Sequence, residues 1–262
     1  MASITSKLRV LCLHGARLND KVMEVQTQAL RHALGSQVEF VFVNGPIEAV
    51  GPSEPNVERA FAHTKPFYEW VRIKNAGQEL TNEIVDLRSA DTEWRFQYVG
   101  VDDVAEYIDK QLAHHGPFDV ALGFSQGAVT LTYLSLYYLQ RSERWWKLCV
   151  CVGGVPFRGV GERSMFETPS GEPILVPFPS VHVVGRQDPL CTESLKLAAM
   201  YEEHPAGSAL PKVVLEHEDG HRFPNPKTNP GFYDKLAGVI RAHFEIESVA
   251  DSATAGSTAA RL

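Results

Sequence analysis

"FDVALGFSQGAVTLTYL", residues 118–134, is the stretch that decides the fold: a short apolar run, then the motif G-x-S-x-G, then an apolar segment of helical character. A strand that turns sharply into a helix is the context in which this motif presents a serine nucleophile. We expect the turn to hold Ser125 in a strained conformation that exposes its hydroxyl, while Gly123 and Gly127 avoid clashes between strand and helix. The stretch therefore predicts an α/β fold and a candidate nucleophile. The alternative is a simple N-cap serine.

Strand-like runs recur along the chain, with helix-sized gaps between them. They are rich in Val, Leu or Phe, they end in Gly, Pro, Asn or Asp, and they are apolar on both faces, which is typical of strands buried in a parallel sheet. The alternation predicts a mostly parallel sheet of about six strands with helices on both faces. The runs lie at residues 8–15, 38–46, 118–125, 147–156, 180–189 and 212–221.

Three of the intervening helices can be recognised from their apolar periodicity, at residues 19–34, 101–115 and 125–140. Asn19 or Asp20 is the candidate N-cap of the first helix. The third is apolar nearly all round, so we expect it to be buried between the sheet and its neighbours.

Two segments do not fit this alternation of strands and helices. Residues 51–98 are polar and rich in aromatic residues, and we predict a lid-like insertion there; residues 157–179 are rich in Gly and Pro, and are either a lid or disordered. We predict a single domain of residues 1–247 that contains the insertion. The small, polar residues 248–262 predict a disordered C-terminal tail.

The composition argues against several classes of protein. A net charge of −7 without a basic patch argues against a nucleic-acid partner, and no apolar stretch is long enough to span a membrane. The start of the chain has no apolar signal-peptide core, and the four cysteines form no C-x-x-C pair, so we expect a cytoplasmic protein. The final tripeptide Ala-Arg-Leu resembles a peroxisomal signal, which makes the peroxisome the alternative location. Nothing in the sequence predicts an oligomeric state.

The residues 217–221, "HEDGH", fit the zinc-protease pattern H-E-x-x-H. That pattern needs a helix, on which both histidines share one face. The preceding "KVVLE" is typical of a strand, Asp219-Gly220 is a turn signal, and Pro224 and Pro226 follow closely. We therefore predict a strand that runs into a loop, and no metal site.

A serine nucleophile needs a base, and the base needs a carboxylate that orients it. In chain order the partners follow as Asp or Glu and then His. Asp188 lies near the end of the fifth strand-like run and His221 at the end of the sixth, so both should lie at the carboxyl edge of the sheet with Ser125. Taken alone, Asp188 could mark a turn and His221 could be a surface histidine. Asp219 is a rival carboxylate, and Gly220 should let the loop turn tightly.

An oxyanion hole needs two donors. The backbone N–H of Gln126 is one candidate. The second is the N–H of Ala16, or else of Arg17, in the loop after the first strand, where Gly15 permits a turn. His14 is either a brace for this loop or an ordinary buried histidine. Arg17 is either a contact for an anionic part of the substrate or a solvated side chain.

The segment "GPFDVALGFSQGA" at residues 116–128 closely resembles the FSH family of serine hydrolases, within the α/β-hydrolase superfamily. "LRVLCLHG", "FYEWVR", "YVGVDDVAEYI", "VHVVGRQDPL" and "GHRFP" resemble further blocks of that family in the same order, so the resemblance covers residues 8–244. It implies an α/β-hydrolase fold without a separate cap domain, a triad of Ser125, Asp188 and His221, and no cofactor. One departure is Asp219-Gly220, where family members often have two glycines. A second carboxylate beside the base would change the pH dependence of activity.

The resemblance implies a serine hydrolase that cleaves carboxylic ester or thioester bonds of small-molecule or carrier-bound acyl substrates. Some fungal members release polyketide chains, so chain release or tailoring of a secondary metabolite is one expected role. Among the aromatic residues of the insertion, we predict that Phe67 and Trp70 line the acyl pocket. The alternative from another class is a non-catalytic ligand-binding protein on a hydrolase scaffold, because a fold does not fix a function.

Overall fold

The computed structural model describes residues 7–88, 94–206, 208 and 210–244. The strands are β1 Leu8–Leu13, β2 Val38–Val43, β3 Ile47–Glu48, β4 Tyr68–Glu69, β5 Arg72–Asn75, β6 Phe96–Val99, β7 Val120–Phe124, β8 Leu148–Val152, β9 Ser180–Gly185 and β10 Val213–His217. The α-helices are α1 Asp20–Gln26, α2 Gln28–Leu34, α3 Pro55–Phe61, α4 Val101–His115, α5 Gln126–Gln140, α6 Arg163–Phe166, α7 Cys191–Ala199 and α8 at residues 232–244. Short 3₁₀ turns lie at Gly35–Gln37 and Ala62–Thr64.

Six strands form one sheet in the order β10-β9-β8-β7-β1-β2, and every pair in it is parallel. These are the six apolar runs of the sequence, so the predicted parallel sheet is confirmed. Because the strands are parallel, their carboxyl ends meet at one edge. The loops that carry Ala16, Ser125, Asp188 and His221 all begin at that edge.

Each face of the sheet buries its own apolar core. Successive side chains of a strand point to opposite faces, and in β1 Val10 and Cys12 belong to one core while Leu11 and Leu13 belong to the other. Helices α1, α2 and α8 cover the first core, and α4 and α5 cover the second. The prediction of helices on both faces is therefore confirmed.

The first predicted helix, residues 19–34, is two helices in the structure. The hydroxyl of Thr27 donates to the carbonyl oxygens of Met23 (2.9 Å) and Glu24 (3.2 Å), so it occupies acceptors of the last turn of α1. Such local side-chain hydrogen bonds compete with continuation of the helix. The predicted cap at the start is confirmed, since the Asn19 side chain accepts the N–H of Val22 at 3.0 Å.

The segment 51–98 contains α3, β4, β5 and most of β6, and two small antiparallel sheets pair β3 with β4 and β5 with β6. Its irregular part is tied to the surrounding chain by arginine side chains, which donate hydrogen bonds to backbone carbonyls of residues 81–87. These arginines are Arg17, Arg72 and Arg158. The Gly- and Pro-rich segment 157–179 also packs inward, through the buried rings of Phe157, Phe166 and Phe178.

The predicted tail, residues 248–262 with the Ala-Arg-Leu tripeptide, lies outside the described residues. Within the described ranges, no helix has both the length and the apolar character needed to cross a membrane.

Candidate active site

Ser125 occupies a strained turn between β7 and α5. Its φ of 51° and ψ of −117° are unusual for a residue with a side chain. A Cβ built on Gly123 would lie 2.5 Å from the carbonyl carbon of Gly127, and one built on Gly127 would lie 2.2 Å from the carbonyl oxygen of Leu13. Both glycines therefore permit the close approach that the sequence predicted. The strain at Ser125 places its hydroxyl at the sheet edge.

The structure brings Ser125, His221 and Asp188 together in one hydrogen-bonded row. Nε2 of His221 lies 2.9 Å from Oγ of Ser125, and Nδ1 lies 2.7 Å from Oδ2 of Asp188. An ionised carboxylate can only accept hydrogen bonds, so Nδ1 carries the proton and Nε2 is the acceptor for the serine hydroxyl. Chemically, such a row can provide a nucleophile, a general base and a carboxylate that orients the base.

Asp188 is also held in place through its second carboxylate oxygen. Its Oδ1 accepts the backbone N–H of Leu190 at 2.7 Å, at the start of α7. The Asp188 side chain is 1% exposed, whereas the His221 side chain is 29% exposed. The buried carboxylate therefore holds a ring that is partly exposed at the surface, where a substrate can reach it.

The loop that carries His221 is held in place by Asp219. The carboxylate of Asp219 accepts hydrogen bonds from the backbone N–H of Asn225 (2.7 Å), from Nδ2 of Asn229 (2.7 Å) and from the hydroxyl of Thr228 (2.9 Å). Burial would raise the pKa of Asp219, but these hydrogen bonds and the charge of nearby His217 together outweigh it and lower that pKa. This carboxylate is therefore engaged with the loop itself.

Gly220 does not have the conformational role expected of it. It does not adopt a positive φ, so the turn needs no left-handed residue at this position. The close approach occurs instead at Gly185 on the neighbouring strand end, where an added Cβ would lie 2.6 Å from the carbonyl oxygen of Asp219. Gln187 also donates its N–H to that oxygen, at 3.2 Å. The end of β9 thus positions the His221 loop.

Gly153, the residue directly after β8, lies beside the His221 ring, and this role was not predicted from the sequence. Its φ is 56°, and an added Cβ would lie 3.2 Å from the His221 ring. The signal was the pair Gly153-Gly154 directly after a strand that neighbours β7.

The loop after β1 is braced by His14. Its ring hydrogen-bonds the carbonyl oxygen of Gly15 through Nδ1 (2.7 Å), so Nδ1–H is the donor and Nε2 accepts the N–H of Gly45 (2.9 Å). Burial lowers the pKa of His14 to about 4, so the ring is neutral at neutral pH. Gly15 is needed for space rather than for φ, because an added Cβ would lie 2.9 Å from the Phe124 ring. The left-handed residue of the loop is Arg17, with φ of 54°.

Arg17, which the sequence left as either a substrate contact or a solvated side chain, is buried and paired in the structure. It is 7% exposed, so it is not a solvated side chain. Its Nε contacts Oε1 of Glu69 at 3.0 Å, and its Nη1 donates to the carbonyl oxygen of Pro52 at 3.0 Å. Its charge is thus paired inside the protein, and a contact between Arg17 and an anionic substrate group stays a prediction.

Phe67 and Trp70 do not line an open pocket as predicted. Phe67 is 5% exposed in the core covered by α1, and Trp70 is 0% exposed in the opposite core. Aromatic side chains bury large apolar areas, and here both rings are packed in the apolar cores. A cavity of about 740 Å³ does open between α1, α2 and residues 222–234, but Ser125 is not among its lining residues.

The two candidate oxyanion donors lie on adjoining elements. Gln126 is the first residue of α5, where backbone N–H groups have no intrahelical acceptor. Ala16 lies in the loop that follows β1, and β1 pairs with β7 directly beside the nucleophile. The positive end of the α5 dipole favours a negative charge at the same place.

The chain matches the family described as "Serine hydrolase (FSH1)" over residues 2–232. It is 29% identical over 227 residues to "Esterase FPY3" from Fusarium mangiferae, and the alignment covers 83% of this chain and 88% of the relative. It is 26% identical over 242 residues to the Aspergillus terreus thioesterase named for dihydromonacolin L and the lovastatin nonaketide synthase, with coverage of 82% and 85%.

A solved structure, acyl-protein thioesterase 2 from Zea mays, superposes with a TM-score of 0.57 at 16% identity, and the match covers 93% of this chain and 96% of that one. At this identity the likeness shows the fold, and the predicted α/β-hydrolase fold is confirmed.

Proposed function

This chain belongs to the FSH1 serine hydrolase family, and we propose that it is an esterase or thioesterase whose catalytic triad is Ser125, His221 and Asp188. Its substrates are small-molecule or carrier-bound acyl compounds with a carboxylic ester or thioester bond. The observation that carries the proposal is the His221 ring, which lies 2.9 Å from the Ser125 hydroxyl and 2.7 Å from the Asp188 carboxylate. These atoms lie at the carboxyl edge of the sheet, where open α/β folds place their active sites.

In the first half of the reaction, Oγ of Ser125 attacks the acyl carbonyl carbon while Nε2 of His221 takes the hydroxyl proton. The carbonyl oxygen becomes an oxyanion, which the N–H groups of Gln126 and Ala16 stabilise. Collapse of the intermediate breaks the bond to the alcohol or thiol, which leaves with the proton from His221. Asp188 keeps the ring in the correct tautomer and stabilises the imidazolium.

In the second half, His221 takes a proton from a water molecule, which attacks the acyl-enzyme. The second tetrahedral intermediate uses the same two donors. Its collapse releases the carboxylic acid and returns the proton to Oγ of Ser125, so no cofactor is consumed.

We propose a single domain of residues 1–247, in which residues 51–98 cover the site as a lid. Support comes from contacts between the insertion and the site loops, such as the one between Arg17 and Glu69. As the reaction context we propose release or tailoring of an acyl chain in secondary metabolism, the setting suggested by the name of the Aspergillus terreus relative.

The test compares Ser125→Ala with Ser170→Ala, which removes a hydroxyl from an exposed turn. A panel of p-nitrophenyl esters and acyl thioesters measures kcat/KM, and a fluorophosphonate probe labels activated serines. We expect Ser125→Ala to lower turnover by about 10⁴-fold or more and to abolish labelling, with Ser170→Ala unchanged.

Turnover that survives Ser125→Ala would refute the assignment. A wild-type protein that neither reacts with the probe nor turns over any member of the panel would instead favour the ligand-binding scaffold. The ratio of kcat/KM between matched esters and thioesters decides which bond is preferred.

A further inference from the structure

Trp70 joins the two elements that carry the candidate oxyanion donors. It is 0% exposed. Its backbone N–H donates to Oε1 of Gln126 at 2.8 Å, and its indole Nε1–H donates to the carbonyl oxygen of His14 at 2.8 Å. One residue of the insertion thus hydrogen-bonds both the start of α5 and the loop after β1.

The contact with Gln126 has two points. Besides accepting from Trp70, the Gln126 side chain donates through Nε2 to the carbonyl oxygen of Val71 at 2.9 Å. Gln126 is 8% exposed, so little water is available to replace these partners. The two hydrogen bonds therefore hold the Gln126 side chain against residues 70–71, and Gln126 is the residue whose backbone N–H is a candidate oxyanion donor.

The contact with the β1 loop is equally specific. The indole packs against the His14 imidazole with ring centroids 5.1 Å apart. His14 is two residues from Ala16, and the carbonyl oxygen that accepts the indole N–H lies between them in the chain. The neighbouring residue Glu69 reaches the same loop through its ion pair with Arg17 at 3.0 Å.

We infer that Trp70 is a positioning residue for the oxyanion hole, which sets the N–H of Gln126 and the N–H of Ala16 relative to each other. The inference rests on the proposed function. The donors come from separate elements, and an oxyanion hole works only when both point at one oxygen position. Backbone packing of α5 against β1 sets how close the elements come, and the hydrogen bonds of Trp70 set their orientation.

The experiment compares Trp70→Phe with Trp146→Phe. Trp146 is a matched control: it is also fully buried in the same core, and its indole N–H donates a hydrogen bond to the Ser135 hydroxyl at 3.3 Å. Each variant loses one indole donor and a similar volume. Urea unfolding measures stability, and kinetics with an ester and its thionoester measure the oxyanion hole. Sulfur accepts hydrogen bonds poorly, so the preference for the oxygen ester reports donor alignment.

We expect Trp70→Phe to lower kcat for the oxygen ester by about ten- to a hundredfold with little change in KM, and to shrink the preference over the thionoester. Trp146→Phe should lose stability without changing that preference. Gln126→Met provides a second route, because it removes both side-chain bonds to residues 70–71 and keeps the backbone N–H. It should shrink the preference in the same way, even if Trp70→Phe fails to fold.

An unchanged preference in Gln126→Met, or in a folded Trp70→Phe, would overturn the inference and leave the proposed hydrolase intact. An equal loss of preference in Trp146→Phe would also overturn it, because the effect would then follow from core packing. A wild-type protein without turnover on any ester would overturn the inference together with the proposed function.

Discussion

Gly153 lies against the imidazole of His221. A Cβ on this glycine would stand 3.2 Å from Cε1 and 3.3 Å from Nδ1 of the ring, and 3.7 Å from Oδ2 of Asp188. Its φ of +56° is one that residues with side chains rarely adopt. Glycine is therefore required here both for backbone conformation and for the space that the histidine occupies.

The first prediction is that Gly153→Ala lowers kcat by about ten- to a hundredfold, because the new methyl group displaces the ring from Ser125. Steady-state kinetics on a p-nitrophenyl ester measure it. Gly161→Ala is the control. Gly161 follows Gly153 in the chain after β8, has no positive φ, and a Cβ on it would lie in open space. Equal kcat in both variants would contradict the contact with His221.

The second prediction concerns Asp188→Asn. The amide would donate to Nδ1 of His221 and favour the tautomer with the proton on Nε2, which cannot accept the Ser125 proton. We expect kcat to fall by about 10⁴-fold, with a parallel loss of fluorophosphonate labelling. A loss below tenfold would mean that another carboxylate orients the ring.

The third prediction concerns Asp219, the carboxylate next to His221 in the loop. Its oxygens accept bonds from Asn225, Thr228 and Asn229. Asp219→Asn should therefore lower the free energy of unfolding by roughly 1 kcal/mol and leave the midpoint of the kcat/KM–pH profile in place. A shifted midpoint would show that this carboxylate acts on the base, as the departure from two glycines first suggested.

The sequence was sufficient to predict the parallel sheet and the three residues that lie together at its edge. Both depend on short-range patterns: buried parallel strands are apolar on both faces, and a nucleophile turn has a fixed motif between a strand and a helix. The order of the strands then places Ser125, Asp188 and His221 at one edge, although His221 and Ser125 are 96 residues apart.

The contacts around the site could not be predicted from such short-range patterns. The bond between Trp70 and Gln126 spans 56 residues, and the pair of Arg17 and Glu69 spans 52, with no periodicity that connects them. An aromatic residue in an irregular segment has the same signature whether it lines a pocket or fills a core. The sequence therefore predicts Trp70 at the acyl pocket, whereas in the structure it hydrogen-bonds Gln126 and His14.

The fourth prediction uses the ion pair of Arg17 and Glu69, whose side chains are 8% and 10% exposed. Glu69→Ala leaves a buried guanidinium without its carboxylate, and removing one partner of a buried pair costs about 3 kcal/mol or more. Urea unfolding measures the loss. Asp86→Ala is the control, because its pair with Arg88 is exposed and should leave the unfolding midpoint nearly unchanged. Similar midpoints in both variants would contradict the burial of Arg17.

The last prediction follows from the buried histidine that braces the β1 loop. Burial lowers the pKa of His14 from its ordinary 6.5 to about 4 in the folded protein. Between these values the unfolded chain binds a proton that the folded protein does not, so stability is complete above pH 6.5 and is lost as the pH falls towards 4. For this one group the full loss is about 3 kcal/mol.

Urea unfolding at about pH 7 and at about pH 4.5 measures this dependence. Burial also lowers the pKa of His182, to about 3, so part of the acid destabilisation persists without His14. His14→Gln should therefore flatten the dependence only partly, and the exposed His32→Gln should leave it as in the wild type. If His14→Gln and the wild type lose stability in parallel, His14 is not held neutral in the folded protein. The hydrogen bonds that brace the loop after β1 would then have to be made by a different protonation state of His14.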